Sequence, residues 1–251
     1  MHLRRCSPDR HMGNNMAFKD GDFLEVEYTV WNAGDSSIIA TTDEKKAKES
    51  DTFNEKTHYG PTLLVVGSSG MIRGLDREVR GMKENEVKKF TFGPADAFGE
   101  RVEELVRVMP LSAFKERNIS PYPGMQVELD STTAIVKSVT SGRVTVDANH
   151  PYAGKDVIYE VRVVRLLQSE KDKVGALAQS YSLKPTQINA YSDTVELFFD
   201  NKVAKNADYF ISKASFVASA FTYFKSMKKV DVKEEYLRPE EAHTDRDGAK
   251  K

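Results

Sequence analysis

The chain has 251 residues, of which 39% are hydrophobic and 30% charged, and its formal net charge is −1. This length allows one to three globular domains, and the near-zero charge gives no reason to expect nucleic acid or a membrane surface as a partner. Cys6 is the only cysteine, which excludes an intrachain disulfide, and no apolar run suits a signal sequence or a membrane span, so we expect a cytoplasmic protein.

The N-terminal segment is polar and without periodicity, so residues 1–15 are predicted to be disordered. It contains His2, Cys6 and His11, but three ligands on a flexible tail lack the fourth that a tetrahedral metal site needs. We therefore predict neither a metal site nor a cofactor.

The first regular element is a half-buried strand over residues 23–31, in which every second residue is apolar. This alternation turns Tyr28 inward. Residues 38–42 should pair back with it across a short turn. The charged residues 42–54 then form a surface bulge or a short exposed helix.

The rest of the molecule is organised around residues 59–100. A short apolar strand over residues 63–66 ends in a Gly-Ser loop, and a helix of about two turns follows, with Leu75 and Val79 on one face. A second strand runs from Val87 to Phe92. So short a helix is unstable alone and must lie on a sheet, and the short connections predict that this sheet is antiparallel.

Two further regions show patterns of their own. Residues 101–148 contain four strand patterns and a helical turn, enough for a small domain, and residues 156–167 form a last strand whose alternation turns Tyr159 inward. Residues 169–240 suggest a second α+β domain with a short helix at 173–180 and a long helix at 202–228, flanked by two strands at 194–199 and 230–237. Residues 241–251 should fray.

Two sequence blocks resemble FKBP-type peptidyl-prolyl cis-trans isomerases. Met71-Ile72-Arg73-Gly74-Leu75, followed by Gly93-Pro94 and Ala97-Phe98-Gly99, is similar to the helix and loop of that family's pocket, and Asn149-His150-Pro151-Tyr152-Ala153-Gly154-Lys155 resembles the signature of its SlyD-like branch. The resemblance implies an antiparallel sheet wrapped on a short helix, formed by residues 16–100 and 149–168. It also implies an inserted chaperone domain at residues 101–148 and an extra C-terminal domain at residues 169–240, as in archaeal-type long members.

The family's proline pocket is an apolar bowl, and its activity needs no nucleophile. The resemblance places seven side chains in this bowl, although each taken singly fits an ordinary core position equally well: Tyr28, Ile39, Met71, Ile72, Leu75, Phe98 and Tyr159. In the family, the backbone N–H at the position of Ile72 donates to a peptide carbonyl. His150 has two readings, as a hinge residue bonded to backbone or as a contact at the rim of the bowl.

The sequence departs from the family at two bowl positions. Ala40 stands where most members carry an aspartate, and Phe98 stands where many carry a tyrosine whose hydroxyl binds the peptide. Both changes remove polar groups from the bowl.

These features predict a prolyl isomerase and folding chaperone whose partners are unfolded polypeptides and proline-containing peptides. The alternative is a non-catalytic holdase in which the bowl only binds peptide, and a trigger-factor-like ribosomal chaperone is a weaker third reading. The insert has an alternative role as a rigid spacer.

The long helix carries two apolar stripes, and we expect a homodimer through it. One stripe has the four-three spacing of a helix face, formed by Phe210, Ala214, Val217, Phe221 and Phe224. Beside it lies a second, formed by Tyr209, Phe216 and Tyr223. A domain of this size can cover only one side of such a helix. The alternatives to a dimer are that the FKBP-like lobe packs on the other side, or that the tyrosine hydroxyls make the second stripe tolerable in water.

Overall fold

The computed structural model describes residues 18–55, 57–68, 72–129, 132–200 and 206–236. Two compact units divide the chain, one ending at Arg165 and the other beginning at Leu166. The fold is mixed α+β, as predicted, with two sheets in the first unit and one in the second among the described residues. The tails predicted to be disordered lie outside these residues.

A five-stranded sheet forms the larger part of the first unit, which we call the lobe. Its strand order is β2-β1-β9-β4, with β3 on β1, and the pairs β1–β2, β1–β3 and β4–β9 are antiparallel, as predicted. The strands are β1 (Phe23–Asn32), β2 (Ile38–Thr41), β3 (Thr62–Val65), β4 (Val87–Phe92) and β9 (Val157–Leu167).

Alternation of apolar residues gives the sheet one buried face. On β9 the alternate residues from Val157 to Val163 are buried, and on β1 Leu24 and Val26 are fully buried. Helix α2 (Arg73–Val79) covers this face, and its Leu75 and Val79 have no exposed surface. Helix α1 (Glu44–Glu49) forms in the charged segment, where the Asp43 carboxylate accepts hydrogen bonds from the first turn.

A four-stranded antiparallel sheet with the order β5-β8-β7-β6, which we call the insert sheet, occupies the middle of the chain. Its elements are β5 (Val106–Pro110), α3 (Leu111–Lys115), β6 (Gln126–Leu129), β7 (Thr132–Thr140) and β8 (Arg143–Asp147). The core is small and consists of Phe114, Val127, Ala134, Val136, Val144 and Val146.

The second unit contains a three-stranded sheet and two helices. Its elements are α4 (Glu170–Ser180), β10 (Gln187–Ala190), β11 (Thr194–Phe199), α5 (Ala207–Tyr223) and β12 (Lys229–Glu234). Strand β10 was not predicted, and β12 runs parallel to β11. Helix α5 is shorter than the predicted 202–228. It begins after Asn206, whose side chain caps the first turn, and it ends at Tyr223, while residues 201–205 lie outside the described residues.

The two apolar stripes of α5 differ in burial. Tyr209 and Phe216 face the interior of the second unit, whereas Phe210 and Phe221 are each 44% exposed. Phe224, predicted in the same stripe as Phe210 and Phe221, is buried and lies just after the helix. The hydroxyl of Tyr209 donates to Glu234 on β12 over 2.8 Å, and Lys213 donates to the same carboxylate over 2.5 Å. Burial would raise the pKa of Glu234, but these hydrogen bonds and one from Tyr236 lower it to about 2.

Candidate functional site

Two tyrosines from adjacent strands meet on the buried face of the lobe. Tyr28 on β1 and Tyr159 on β9 have ring centroids 6.2 Å apart. Tyr159 is 5% exposed, whereas Tyr28 is half-buried. Burial raises the pKa of both phenols, and the neighbouring Tyr28 raises that of Tyr159 further. The two alternating strands thus place both residues as predicted.

Phe92 completes the floor beneath the tyrosines. Its ring lies 5.9 Å from that of Tyr159 in an edge-on arrangement, and it is 4% exposed. Helix α2 rests directly on it, since a Cβ added to Gly74 would lie 2.4 Å from the Phe92 ring. Only glycine allows this approach, which brings Leu75 to the same face. Phe92 was missed as a site residue, although its place in an alternating strand was a usable signal.

Phe98 is the residue predicted to form one side of the rim. It lies in the loop after β4, beyond a 3-10 turn at Pro94–Asp96, and its ring stacks on that of His150 at 4.4 Å between centroids. The Nδ1 atom of His150 accepts a hydrogen bond from the backbone N–H of Tyr152 over 3.3 Å, and the Tyr152 ring lies 5.8 Å from Phe98. His150 is therefore bonded to backbone, in agreement with its hinge reading, and its contact with the rim of the bowl stays a prediction.

Ile39 and Ile72, two further residues predicted to line the bowl, are half-buried. Ile39 lies in β2 beside β1, at an irregularity in the pairing, and Ile72 immediately precedes α2 with an extended backbone. In the described part of the chain, no group accepts a hydrogen bond from the Ile72 N–H. This donor is available to a ligand. The predicted bowl residue Met71 lies outside the described residues.

Ala40 places a methyl group where most members of the resembled family carry a carboxylate. Ala40 is the cross-strand partner of Val30, which is 1% exposed, and cross-strand partners share a face of the sheet. Its methyl group therefore lies on the side of Tyr28 and Val30. The tyrosines and Phe92 form an aromatic cluster beneath α2, and we call this cluster, with Leu75 and the predicted rim residue Phe98, the bowl.

The chain passes twice between the lobe and the insert sheet, and hydrogen bonds join the two connecting segments. We call this site the neck; it consists of Arg101, Val102, Asp147 and Asn149. The Asn149 side chain accepts from the N–H of Val102 and donates to its carbonyl, both over 2.9 Å. Asp147, whose side chain is 3% exposed, accepts from Asn149 and from Arg101, the latter over 2.6 Å. Burial would raise the pKa of Asp147, but these partners hold it below its usual value.

A groove of 510 Å³ is lined mainly by polar and charged residues of the lobe, such as Glu27, Thr29 and Glu160, and also by Tyr28. Its charged side chains neutralise one another: Lys46 lies 3.6 Å from Glu160, and Arg162 lies 3.4 Å from Glu27. The groove consequently offers no unsatisfied charge from these pairs to a ligand.

Within the described residues, no group of three His, Cys, Asp or Glu side chains is placed to hold a metal ion. The tail residues His2, Cys6 and His11 lie outside that part of the chain. A search of the described helices also found none with the length and apolar character that crossing a membrane requires.

Comparison with known proteins gives consistent matches to one family. Residues 107–152 match the model of the FKBP26 IF domain. The chain is 30% identical over 154 residues to a short-type peptidyl-prolyl cis-trans isomerase of Methanocaldococcus jannaschii, which covers 61% of this chain and 97% of the relative. It is 27% identical over 125 residues to the FKBP-type peptidyl-prolyl cis-trans isomerase SlyD of Vibrio cholerae, covering 49% of this chain and 62% of that protein.

Proposed function

This chain belongs to the family of FKBP-type peptidyl-prolyl cis-trans isomerases and is an enzyme of that type; we propose that it acts as an isomerase and chaperone on unfolded clients. The bowl is the proposed catalytic site, and the insert sheet is the proposed client-binding domain. The observation that supports this most is the cluster of Tyr28, Phe92 and Tyr159 beneath α2. The backbone N–H of Ile72, at the start of α2, donates to no group among the described residues.

The chemistry requires no nucleophile. Rotation about an X-Pro bond has a barrier of ~18–20 kcal/mol, because resonance gives the C–N bond double-bond character. In the proposed mechanism, the apolar floor holds the proline ring and the Ile72 N–H fixes a peptide carbonyl, while the preceding residue turns. A dry bowl favours the twisted amide, in which charge separation is reduced, and each ~1.4 kcal/mol of such preference gives about a tenfold acceleration.

The experiment is NMR exchange spectroscopy on a short X-Pro peptide, without a coupled protease. We expect exchange cross-peaks to grow with catalytic amounts of the protein. A parallel assay follows the proline-limited refolding of a protein substrate. No acceleration of either substrate would contradict the catalytic proposal and would favour the non-catalytic holdase, which Ala40 and Phe98 support by removing polar groups from the bowl.

Client binding by the insert sheet is supported by its exposed apolar surface. Val108 on the edge strand β5 is 60% exposed, and Tyr122 is 62% exposed. An edge strand offers unpaired backbone groups to an extended chain, and apolar side chains beside it add contact area. A rigid spacer would not need this surface, which is why we favour the chaperone role.

The C-terminal residues are proposed to form the extra domain of an archaeal-type long form. The M. jannaschii relative aligns over nearly its whole length yet covers 61% of this chain, which supports an added domain. A cytoplasmic location is proposed as well, since Cys6 cannot form an intrachain disulfide.

We further propose a homodimer formed through α5. The outward stripe exposes Phe210 and Phe221, with the exposed Ala214 between them, where a small side chain allows a second helix to approach closely. Helix α5 carries only two charged residues, Asp208 and Lys213, in seventeen positions. A symmetric partner would cover the same patch on both copies and would hold two bowls near one client.

Sedimentation equilibrium tests the dimer. The intact protein should sediment as a dimer at micromolar concentration, and Phe210→Glu with Phe221→Glu should make it monomeric. Tyr191→Glu is the matched control, because Tyr191 is 54% exposed in the same unit but lies away from α5 in sequence. A monomeric wild type would contradict the dimer.

A further inference from the structure

Two hydroxyl groups at the floor of the bowl have no hydrogen-bond partner in the described part of the chain. The rings of Tyr28 and Tyr159 are in contact, but neither hydroxyl is bonded to a protein group there. Among the described residues, no fully buried side-chain nitrogen or oxygen lacks a partner. Neither hydroxyl oxygen is therefore fully buried, and each can still donate a hydrogen bond to a ligand.

The twisted amide can use a donor that the planar amide cannot. In the planar X-Pro bond, the nitrogen lone pair is delocalised into the carbonyl and accepts no hydrogen bond. Rotation by a quarter turn localises the lone pair on nitrogen. A hydroxyl fixed beside that nitrogen then gains a hydrogen bond only in the transition state, which is the condition for raising kcat rather than tightening ground-state binding.

Resting on the proposed isomerase function, we propose that Tyr159 is a further catalytic residue whose hydroxyl donates to the X-Pro amide in its twisted state. Tyr159 is deeper in the bowl than Tyr28 and is held edge-on by Phe92, so its hydroxyl direction is fixed by packing. A low-polarity floor strengthens such a hydrogen bond. No bond is made or broken covalently, and the proton stays on the phenol.

The surroundings of Tyr159 suit this role. Ala40 has no carboxylate and Phe98 has no hydroxyl. Among the side chains assigned to the bowl, the phenols of Tyr28 and Tyr159 are therefore the polar groups. Burial raises the pKa of the Tyr159 phenol, and Tyr28 adds to this effect. The group therefore stays protonated, and remains a donor, at neutral pH.

The test is Tyr159→Phe, which removes one oxygen and keeps the ring. NMR exchange gives the isomerisation rate, and peptide titration of the same sample gives Kd. We expect kcat on a short X-Pro peptide to fall about tenfold, the effect of one transition-state hydrogen bond, with Kd and the thermal midpoint nearly unchanged. Tyr28→Phe should cost about threefold or less, and Tyr191→Phe in the second unit should cost nothing.

Three results would overturn the proposal. A Tyr159→Phe variant with wild-type kcat would show that the hydroxyl is not used. A loss that appears in Kd alone, or together with a lowered thermal midpoint, would assign Tyr159 a structural role in the bowl. A wild-type protein without activity would remove the proposed function and this inference together, whereas an active wild type with an unaffected variant removes only the inference.

Discussion

The two sheets of the first unit use their apolar residues in opposite ways. The lobe directs them inward, so that Leu24, Val26, Leu75 and Val161 are completely buried, while its outer face carries ion pairs such as Arg165 with Glu25. The insert sheet has six buried core residues and leaves Val108 and Tyr122 mostly exposed. This difference agrees with the proposed roles, a defined site in the lobe and, on the insert sheet, an apolar surface for a client of no fixed sequence.

This difference arises from the size of the two domains and from the way in which helix α2 covers the lobe sheet. The lobe has α2 lying against its sheet, and that contact both excludes water and shapes the bowl. A module of about fifty residues can build only a small core. Its exposed apolar groups would be a liability in an ordinary domain, but they suit a surface that binds unfolded chains. The predictions below test each side of this comparison.

The largest effect is expected from Gly74→Ala on the lobe side. The added Cβ would lie 2.4 Å from the Phe92 ring, so α2 must move off the floor of the bowl. We expect a loss of about 1–3 kcal/mol in the free energy of unfolding and a strong loss of isomerase activity. Chemical denaturation and NMR exchange measure the two effects.

Gly175→Ala is the matched control for that variant. Gly175 also lies within a helix, α4, but its added Cβ would make an ordinary 3.5 Å contact with Ile188. It should be neutral or stabilising by up to about 1 kcal/mol. Equal destabilisation by both variants would contradict the close packing of α2 on Phe92.

The neck joins the two sheets, and Asp147→Asn should weaken it. The variant removes the buried charge that faces Arg101 at 2.6 Å, at an expected cost of about 1–3 kcal/mol in the free energy of unfolding. Asp96→Asn is the control, because Asp96 pairs with Arg77 on the surface, with both side chains more than 40% exposed. Its expected cost is below about 1 kcal/mol.

The same carboxylate predicts a pH dependence. The pKa of Asp147 is lower in the folded protein than in the unfolded chain, so its contribution is present above the unfolded value of about 3.9 and is lost as the pH falls below it. Denaturation of wild type and Asp147→Asn should therefore converge between about pH 4 and pH 2. A constant difference across this range would exclude the carboxylate as the cause.

On the insert side, Val108→Lys should reduce client binding. The charge would stand on the edge strand β5, where a client chain is proposed to pair, and we expect suppression of aggregation to weaken about three- to tenfold. Val87→Lys is the matched control, since Val87 is 57% exposed on a strand of the lobe against 60% for Val108. Short-peptide isomerase activity should survive both changes. A comparable loss in both variants would indicate a general charge effect.

The smallest effect is expected from Phe98→Tyr. The new hydroxyl would restore a polar group at the rim of the bowl, and peptide Kd should fall about two- to tenfold, the value of one net hydrogen bond. Phe53→Tyr is the control, because Phe53 is 39% exposed and stacks on Tyr59 rather than on the bowl residues. A peptide Kd unchanged by Phe98→Tyr would show that the rim does not contact the peptide.

Much of the fold follows from the sequence, because alternation is a strong signal in β1 and β9. Both strands and the inward direction of Tyr28 and Tyr159 are confirmed, and the two rings lie 6.2 Å apart. Strand β10, Gln187–Ala190, was missed because its four residues show no clear apolar alternation. Its place in the sheet comes from pairing with β11, which is a long-range contact that no local pattern encodes.

The site was less predictable than the strands. Phe92 belongs to the floor only because Gly74 lets α2 approach it, a tertiary contact that spacing alone does not reveal. On α5, both stripes satisfy helical spacing, and only the packing of the second unit selects Tyr209 and Phe216 as the inward pair. The assignment of all seven residues to a catalytic bowl stays a prediction.

The division of labour between bowl and insert sheet is tested most directly by replacing residues 103–146 with a short Gly-Ser turn. This replacement keeps the neck, where Asn149 bonds Val102 and Asp147 bonds Arg101. Short-peptide isomerisation should stay within about twofold of wild type, whereas acceleration of proline-limited refolding should be largely lost, because the insert raises the effective concentration of client at the bowl. Equal refolding activity with and without the insert sheet would contradict the account.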